Sequence, residues 1–408
     1  MELRKEKMSI NHFVGKAVSQ LTLEDDFNVP DIKPDIEQII EELGDIKITE
    51  AKPADGRIFI KGKLDFSILY IGTNMNQPLN KMTGSISFED SMSMEGIGPD
   101  HHIKVGWDME DLRTRVINSR KISIRSIVSI TISAQDMAEE EIAADQTDDN
   151  GVYTLCKDVE LSQLHMQKKD IVRVRKTVNV PSSKPDIMDI IWDRVMPGNV
   201  ESKVLDGKVN VRGDIHIFIM YVSAEEDNPL QYFSGLVDFN ESVESTGTTE
   251  EMIGHIETRL IQWEVSVKEN EDGELRKVDI EAVFELFMSI YEEKQMRILE
   301  DIYAKDRVIV PVTKQLKLDN ILMQNHSSIK LGKVIPVEKD KSKILQICQT
   351  NANIKVDRMA IAEQGIQVDG VVYIQVLYIA ADDKKPVNAV KGMIPFSHMV
   401  EVSGIHKQ

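Results

Sequence analysis

The chain is predicted to be mainly β, built of tandem β-sandwich or open-barrel-like modules that each carry one short helix. One observation behind this is repetition. Lys33-Pro34-Asp35-Ile36 returns 151 residues later as Lys184-Pro185-Asp186-Ile187, and the same shift carries Asp55-Gly56 to Asp206-Gly207, Gly62 to Gly213, Tyr70 to Tyr221, Pro78 to Pro229 and Phe88 to Phe239. A further shift of 157 takes Gly213 to Gly370, Tyr221 to Tyr378, Pro229 to Pro386 and Phe239 to Phe396. A fixed offset held across so many residue types marks duplication of one structural unit. Another observation is alternation: Ile58, Ile60, Gly62, Leu64, Phe66, Ile68 and Tyr70 are interleaved with Arg57, Phe59, Lys61, Lys63, Asp65 and Ser67. Period-two patterning of this kind is a strand with one buried face.

Each copy opens with an extended segment ending in Pro30, Pro181 or Pro336. Next come Ile36, Ile39, Ile40 and Leu43, at i, i+3, i+4 and i+7, echoed by Ile187, Ile190 and Ile191 and by Ile344, Ile347 and Cys348. That spacing predicts the short helix, with Pro34 and Pro185 in its first turn. The alternating strand follows. Its recurring Gly62, Gly213 and Gly370 predict a bend or bulge, so that the strand turns a corner or divides in two. A polar turn at Pro78, Pro229 or Pro386 leads into a return strand containing Gly84 to Phe88, Gly235 to Phe239 or Gly392 to Phe396.

A second hairpin closes the first two copies. In copy two it runs through 262–268, turns at Asp272-Gly273 and returns through 277–290; Asp-Gly between β-branched residues is a strong hairpin signal. Its counterpart in copy one returns through Lys121 to Val128.

The expected organisation is repeat 1 over 1–135, an acidic linker over 136–152, repeat 2 over 153–292, a connecting segment over 293–325 and an incomplete repeat 3 over 326–408. The linkers are charged: Glu139-Glu140-Glu141 leads into Asp148-Asp149-Asn150-Gly151, and in 292–306 Met296, Leu299 and Tyr303 predict a helix. Such segments are the expected hinges. Gln408 falls at the position of Glu251 in copy two, so the closing hairpin of copy three has no counterpart in these residues. The expectation is a shortened chain, or a third copy that folds differently or with help.

Composition narrows the function. The 408 residues carry 49 Lys plus Arg against 68 Asp plus Glu, a net charge of −19, which opposes binding to a phosphate backbone. Arg173, Arg175 and Lys176 form a small basic patch, read as a solvated strand face. No run of about 18 apolar residues occurs. The two cysteines, Cys156 and Cys348, lie in separate copies with no CxxC, as in a reducing compartment. Cys348 stands where Ile40 and Ile191 stand, and so reads as a small buried hydrophobe.

Three motifs taken together resemble a known family: the Val-Pro-x-x-Lys-Pro-Asp-Ile opening, the Gly-x-x-x-x-x-x-x-Tyr strand and the Gly-x-hydrophobic-x-Phe return strand. They are similar to the SPOCS repeats of the SipL family of spore-forming Firmicutes, over about Phe27 to Gln408. The resemblance implies a non-enzymatic structural role in spore coat and cortex morphogenesis, in the mother-cell cytoplasm at the forespore surface. The implied partner is a SpoIVA-like coat morphogenetic ATPase, engaged in the family through a LysM domain that follows the repeats. These 408 residues include no LysM segment. The family carries no catalytic residues, so none are transferred.

No catalytic, cofactor-binding or metal residues are expected, and the partner-binding residues are unassigned. His101-His102 are neighbours that a strand points to opposite faces, with no HExxH or Cys beside them. Gly96-Ile97-Gly98 lacks the Lys-Ser or Lys-Thr of a phosphate loop and reads as a loop. Asp35 and Asp186 recur but give way to Lys343, which suits helix-start electrostatics better than catalysis. Trp107, Trp192 and Trp263 are candidate sugar platforms, with core or edge packing the preferred reading. Tyr70, Tyr221 and Tyr378 are read as core residues whose hydroxyls reach the rim. Besides the scaffold role, a cell-wall glycan-binding protein is the alternative function. A hydrolase would need a pocket of convergent titratable groups, which no motif indicates.

Overall fold

Strand follows strand through most of the chain. The computed structural model describes residues 2–73, 78–147, 151–223, 225, 230–313, 315, 321, 323, 327–339, 341–382 and 384–404. Pro229, Asp148-Asp149-Asn150 and Gln408 lie outside the described residues.

Five three-stranded antiparallel sheets form among the described residues. In copy one, β2 (Ile36–Ala54), β3 (Arg57–Gly72) and β4 (Leu79–Ser93) form one sheet, and β1 (Leu3–Asn28), β6 (Lys121–Gln146) and β5 (His102–Asn118) form another in the order β1-β6-β5. Copy two repeats the plan with β8 (Ile187–Leu205), β9 (Lys208–Ser223) and β10 (Leu230–Glu244), faced by β7 (Val152–Asn179), β12 (Leu275–Ala304) and β11 (Ile253–Glu269). Copy three contributes one sheet, β13 (Ile344–Ala362), β14 (Gly365–Ala380) and β15 (Val387–Glu401).

The sandwich expectation holds. In copy one Ile58, Leu64, Phe66 and Ile68 of β3 meet Ile122, Ile124, Val128 and Ile130 of β6 in one core. In copy two Val209, Ile215 and Ile217 meet Val278, Ile280 and Phe284. Stacked inner faces of two sheets bury the alternate residues that the pattern marked.

The short helix does not form. Ile36, Ile39 and Ile40 lie in β2, which is bulged between Ile36 and Gln38 and again between Ile39 and Glu41. The same two bulges recur at Ile187/Asp189 and Ile190/Trp192, and at Ile344/Gln346 and Ile347/Gln349. A bulge absorbs one residue, so two residues three apart face the same side of a strand. Ile36 and Ile39 accordingly enter the sandwich core, whereas Ile40 and Leu43 enter a different cluster on the opposite face. An apolar stripe at helical spacing is here a doubly bulged strand buried on both faces.

The recurring glycine also acts differently from the expectation. The strands β3, β9 and β14 run unbroken for 16 residues each. The irregularity sits on the neighbouring strand, at Ile48/Glu50, Gly198/Glu201 and Val356/Arg358. Gly62 pairs with Phe88, Gly213 with Phe239 and Gly370 with Phe396 across the hairpin. A Cβ on Gly62 would stand 2.6 Å from the Phe88 ring and 2.8 Å from the Lys47 carbonyl. The glycine makes room for a cross-strand ring and for the bulged backbone beside it.

The charged segments between copies form paired strands as well. Glu139 and Glu141 lie in β6, with Lys7 and Lys5 opposite at 3.3 and 3.1 Å. Residues 292–304, read as a helix around Met296, Leu299 and Tyr303, continue β12 and pair with β7 as far as Val152. Cross-strand partners neutralise what looked like solvated linker, and the extended arms pack together through Met8, Ile142 and Met296.

In copy three the inner face lacks an opposing sheet among the described residues. Ile354 is 65% exposed, whereas its equivalent Ile46 is 2% exposed. Residues 327–339, which match the ends of β1 and β7 in sequence, run along without strand pairing.

The glycine–phenylalanine pair yields a prediction. Gly62→Ala should lower stability by about 1–3 kcal/mol through overpacking, read as a drop in thermal midpoint by circular dichroism; an unchanged midpoint would contradict the contact described.

Candidate functional site

The three copies meet at one apolar junction. Ile40, Ile191 and Cys348, at equivalent positions, lie in a single cluster with Leu69, Met220 and Leu377 and with Leu79 and Val387. These residues occupy the outer faces of the three first-hairpin sheets. The reading of Cys348 as a hydrophobe holds: it is buried, and burial pushes its thiol up to about 11, so it stays protonated and unreactive at neutral pH.

The residue after each of these differs from copy to copy. Glu41, Trp192 and Gln349 are equivalent and all buried, Trp192 completely. Asn351 donates through Nδ2 to Glu41 Oε1 at 3.1 Å. Burial pushes the Glu41 carboxyl up from its ordinary value, against the pull of Arg194 and Lys391. Burial likewise pulls Arg194 down, against the attraction of Glu41 and Asp193. Among the described residues Glu41 Oε2, Arg194 Nε and Gln349 Oε1 have no hydrogen-bond partner, while Trp192 lies close enough to Glu41 to favour its charged form. A small polar island thus sits inside an otherwise apolar junction, with every copy contributing to it.

Each copy is also tied by its tyrosine. Tyr70, Tyr221 and Tyr378 are fully buried, and their hydroxyls donate to the carbonyls of Pro34, Pro185 and Ser342 at 3.2, 3.1 and 3.3 Å. Desolvation pushes Tyr70 up to about 12. These are hydroxyls committed to holding the loop before the first strand, which agrees with the core reading.

Asp35 and Asp186 start no helix. Asp35 pairs with Arg120 at 3.2 Å, and Asp186 with Arg276 at 2.7 Å. Arg120 also donates to the carbonyls of Lys33, Val29 and Pro30, and Arg276 to those of Lys184 and Pro181. The two arginines sit at the turn of the second hairpin, 156 residues apart, the same offset that relates the return strands. This knot was missed in the sequence although its signal was there: Arg120 and Arg276 keep the offset of the return strands while Asp35 and Asp186 keep that of the repeat.

The other candidates resolve into structural roles. His101 Nδ1 accepts from the Gly98 amide at 2.7 Å and helps close the loop of Gly96-Ile97-Gly98, where Gly96 has φ +77. His102 starts β5 and is exposed. Trp263 Nε1 donates to Asp193 at 3.1 Å, and Arg259 lies 5.0 Å over the Trp107 ring. Trp192 is closed to any ligand. Arg173 and Arg175 both pair with Glu281 on β12, at 3.2 and 2.8 Å, so the small patch is a compensated strand face. Among the described residues no three His, Cys, Asp or Glu side chains group as a metal site.

Among the described residues, cavities open at the junction and between copies one and two. One of about 350 Å³ lies between β2 and β15 and includes Glu41, Glu42 and Lys391. A small one of about 170 Å³ lies between copies one and two beside Trp192, Asp193 and Trp263. A cleft of about 930 Å³ is lined by β2 and β5 of copy one and by β7, β11 and β12 of copy two.

A family model described as SipL, SPOCS domain matches the chain three times, over residues 35–117, 186–268 and 343–408. Each of the first two matches spans a complete first-hairpin sheet and then the edge strand of the facing sheet, β5 or β11; the third spans β13 to β15. No curated protein and no solved structure matches the chain.

Two predictions concern the junction and its ties. A folded carboxyl that holds its proton more tightly than the unfolded one makes folding take up a proton, so stability falls as pH rises through that window. Glu41 should therefore cost stability as pH climbs above its ordinary value of 4.5, and Glu41→Gln should flatten that slope in thermal melts between pH 4.5 and 7. Parallel slopes for both proteins would refute it. Tyr221→Phe should lose about 0.5–1.5 kcal/mol by removing one buried hydrogen bond, measured by urea unfolding.

Proposed function

This chain belongs to the SipL family of SPOCS-domain proteins, and from that premise we propose that it is a non-enzymatic scaffold of spore-envelope morphogenesis. In this reading it holds a coat morphogenetic protein of the SpoIVA kind at the forespore surface, on the mother-cell side. The family is one of sporulation, and the chain carries its domain in three copies.

The observation that carries the scaffold reading is where the recurring polar residues go. Tyr70, Tyr221 and Tyr378 hold loops, and Asp35 and Asp186 hold hairpin turns through Arg120 and Arg276. Duplication kept groups that build the module. Several related modules in one body present several surfaces, and linked contacts raise avidity without any one of them being tight. No helix of the described residues is long and apolar enough to cross a membrane.

The test is recovery of the tagged, full gene product from sporulating cells. Coat or cortex assembly proteins should co-purify with it at physiological salt. If they do not, and the protein instead sediments with purified peptidoglycan, the glycan-binding alternative replaces this reading.

A further inference from the structure

The 930 Å³ cleft between copies one and two has the build of a strand acceptor. Its size is at the upper end for a ligand site. The way each strand lines it is informative. β12, central in its sheet, contributes the alternate residues Glu285 and Phe287, so it presents a face. β2, β5 and β11 contribute unbroken runs, 45–51, 102–107 and 257–262. All three are outermost strands of their sheets. A strand that lines a space with consecutive residues turns its edge toward it, and an edge carries main-chain donors and acceptors that a further strand can use.

The side chains add a charge preference. Six Lys or Arg and four Asp or Glu line this cleft in a chain whose net charge is −19. In the cavity beside Glu41 and Glu42 the carboxylates outnumber the cations, and beside Trp192 the two are equal. Lys104 pairs with Glu257, Lys169 with Glu285, and Lys168 with Asp170 at 2.6 Å. Such partly exposed pairs are held weakly and exchange readily for an incoming carboxylate. Phe287, with Lys104 Nζ 5.0 Å above its ring, forms an amphipathic floor.

We propose that this cleft docks an extended, acidic segment of a partner protein, which adds as a strand along the edge of β5. Main-chain hydrogen bonds supply the affinity, and alternate carboxylates meet Lys104, Lys168, Lys169 and Arg259. This deepens the scaffold reading and rests on it for the partner's being a protein.

The experiment uses the 408-residue chain and a fluorescent eight-residue peptide of alternating Val and Glu. Because the contacts are mainly main-chain, this generic strand should bind and should slow hydrogen exchange at 102–107. Methylating alternate peptide nitrogens should abolish binding, a Val–Lys peptide should not bind, and Lys104→Gln with Lys169→Gln should weaken binding by about fivefold. No binding at millimolar peptide, equal binding of the methylated or Val–Lys peptide, or protection confined to other strands would each overturn the proposal. So would protection of 102–107 that grows with protein concentration alone, which would make the occupant a second copy. Recovery of coat proteins by the double variant at wild-type yield would overturn the cleft as the docking site while leaving the scaffold function intact.

Discussion

Burial of the first-hairpin sheets on both faces is the constraint from which the architecture follows. In copies one and two one face of the alternating strand fills its own sandwich, where Leu64 and Ile215 are fully buried. The other face carries Leu69, Met220 and Leu377 into a junction shared by all three copies. A sheet that is apolar on one side needs a single partner layer, whereas a sheet apolar on both must find a second. The modules here serve as that second layer for one another, so the repeats gather round a common core. Copies joined only by linkers would be free to move independently.

A symmetric junction of identical apolar residues would leave the order of the copies unspecified. Glu41, Trp192 and Gln349 break the symmetry at one equivalent position, with Asn351 and Arg194 around them. Glu41 of copy one is the group served from both other copies, by the Asn351 amide of copy three and the Arg194 charge of copy two. A buried polar set of this kind is costly to assemble wrongly, because a mispaired charge or amide loses its compensation without gaining any packing. That is the physical case for reading the island as a device for specifying arrangement, at some expense in stability.

Much of this was legible in the sequence, and the parts that were not share a cause. The duplication offsets located the hairpins, the inward tyrosines and the equivalence of Cys348 with Ile40 and Ile191, because those features depend on one copy at a time. The helix was misread because apolar spacing records which residues are buried and does not record how many cores bury them. Ile39 and Ile40 are adjacent and both covered, on opposite sides of a bulged strand. The linkers were misread because a run such as Glu139 to Glu141 looks solvated until Lys5 and Lys7, more than 130 residues away, are placed across from it. The Arg120–Asp35 knot was within reach, since Arg120 and Arg276 keep the hairpin offset and Asp35 and Asp186 keep the repeat offset. The cleft was out of reach, because it belongs to no single repeat.

The cleft exists because copies one and two are fastened at two separated places. The junction around Ile40, Ile191 and Trp192 holds the first-hairpin sheets, and the arms meet again at Met8, Ile142 and Met296. Away from the junction the sandwiches are bridged by side chains, Gln167 donating to Gln135 at 2.9 Å and Lys104 pairing with Glu257. A single attachment would leave a hinge, and the space beside it would open and close with every fluctuation. Two attachments fix the separation of the walls, so the edges of β2 and β5 stand at a set distance from the Phe287 floor. Preorganisation of that kind lowers the entropy lost when an extended segment is captured. In a scaffold it turns the gap left between two duplicated units into a surface that neither unit has alone.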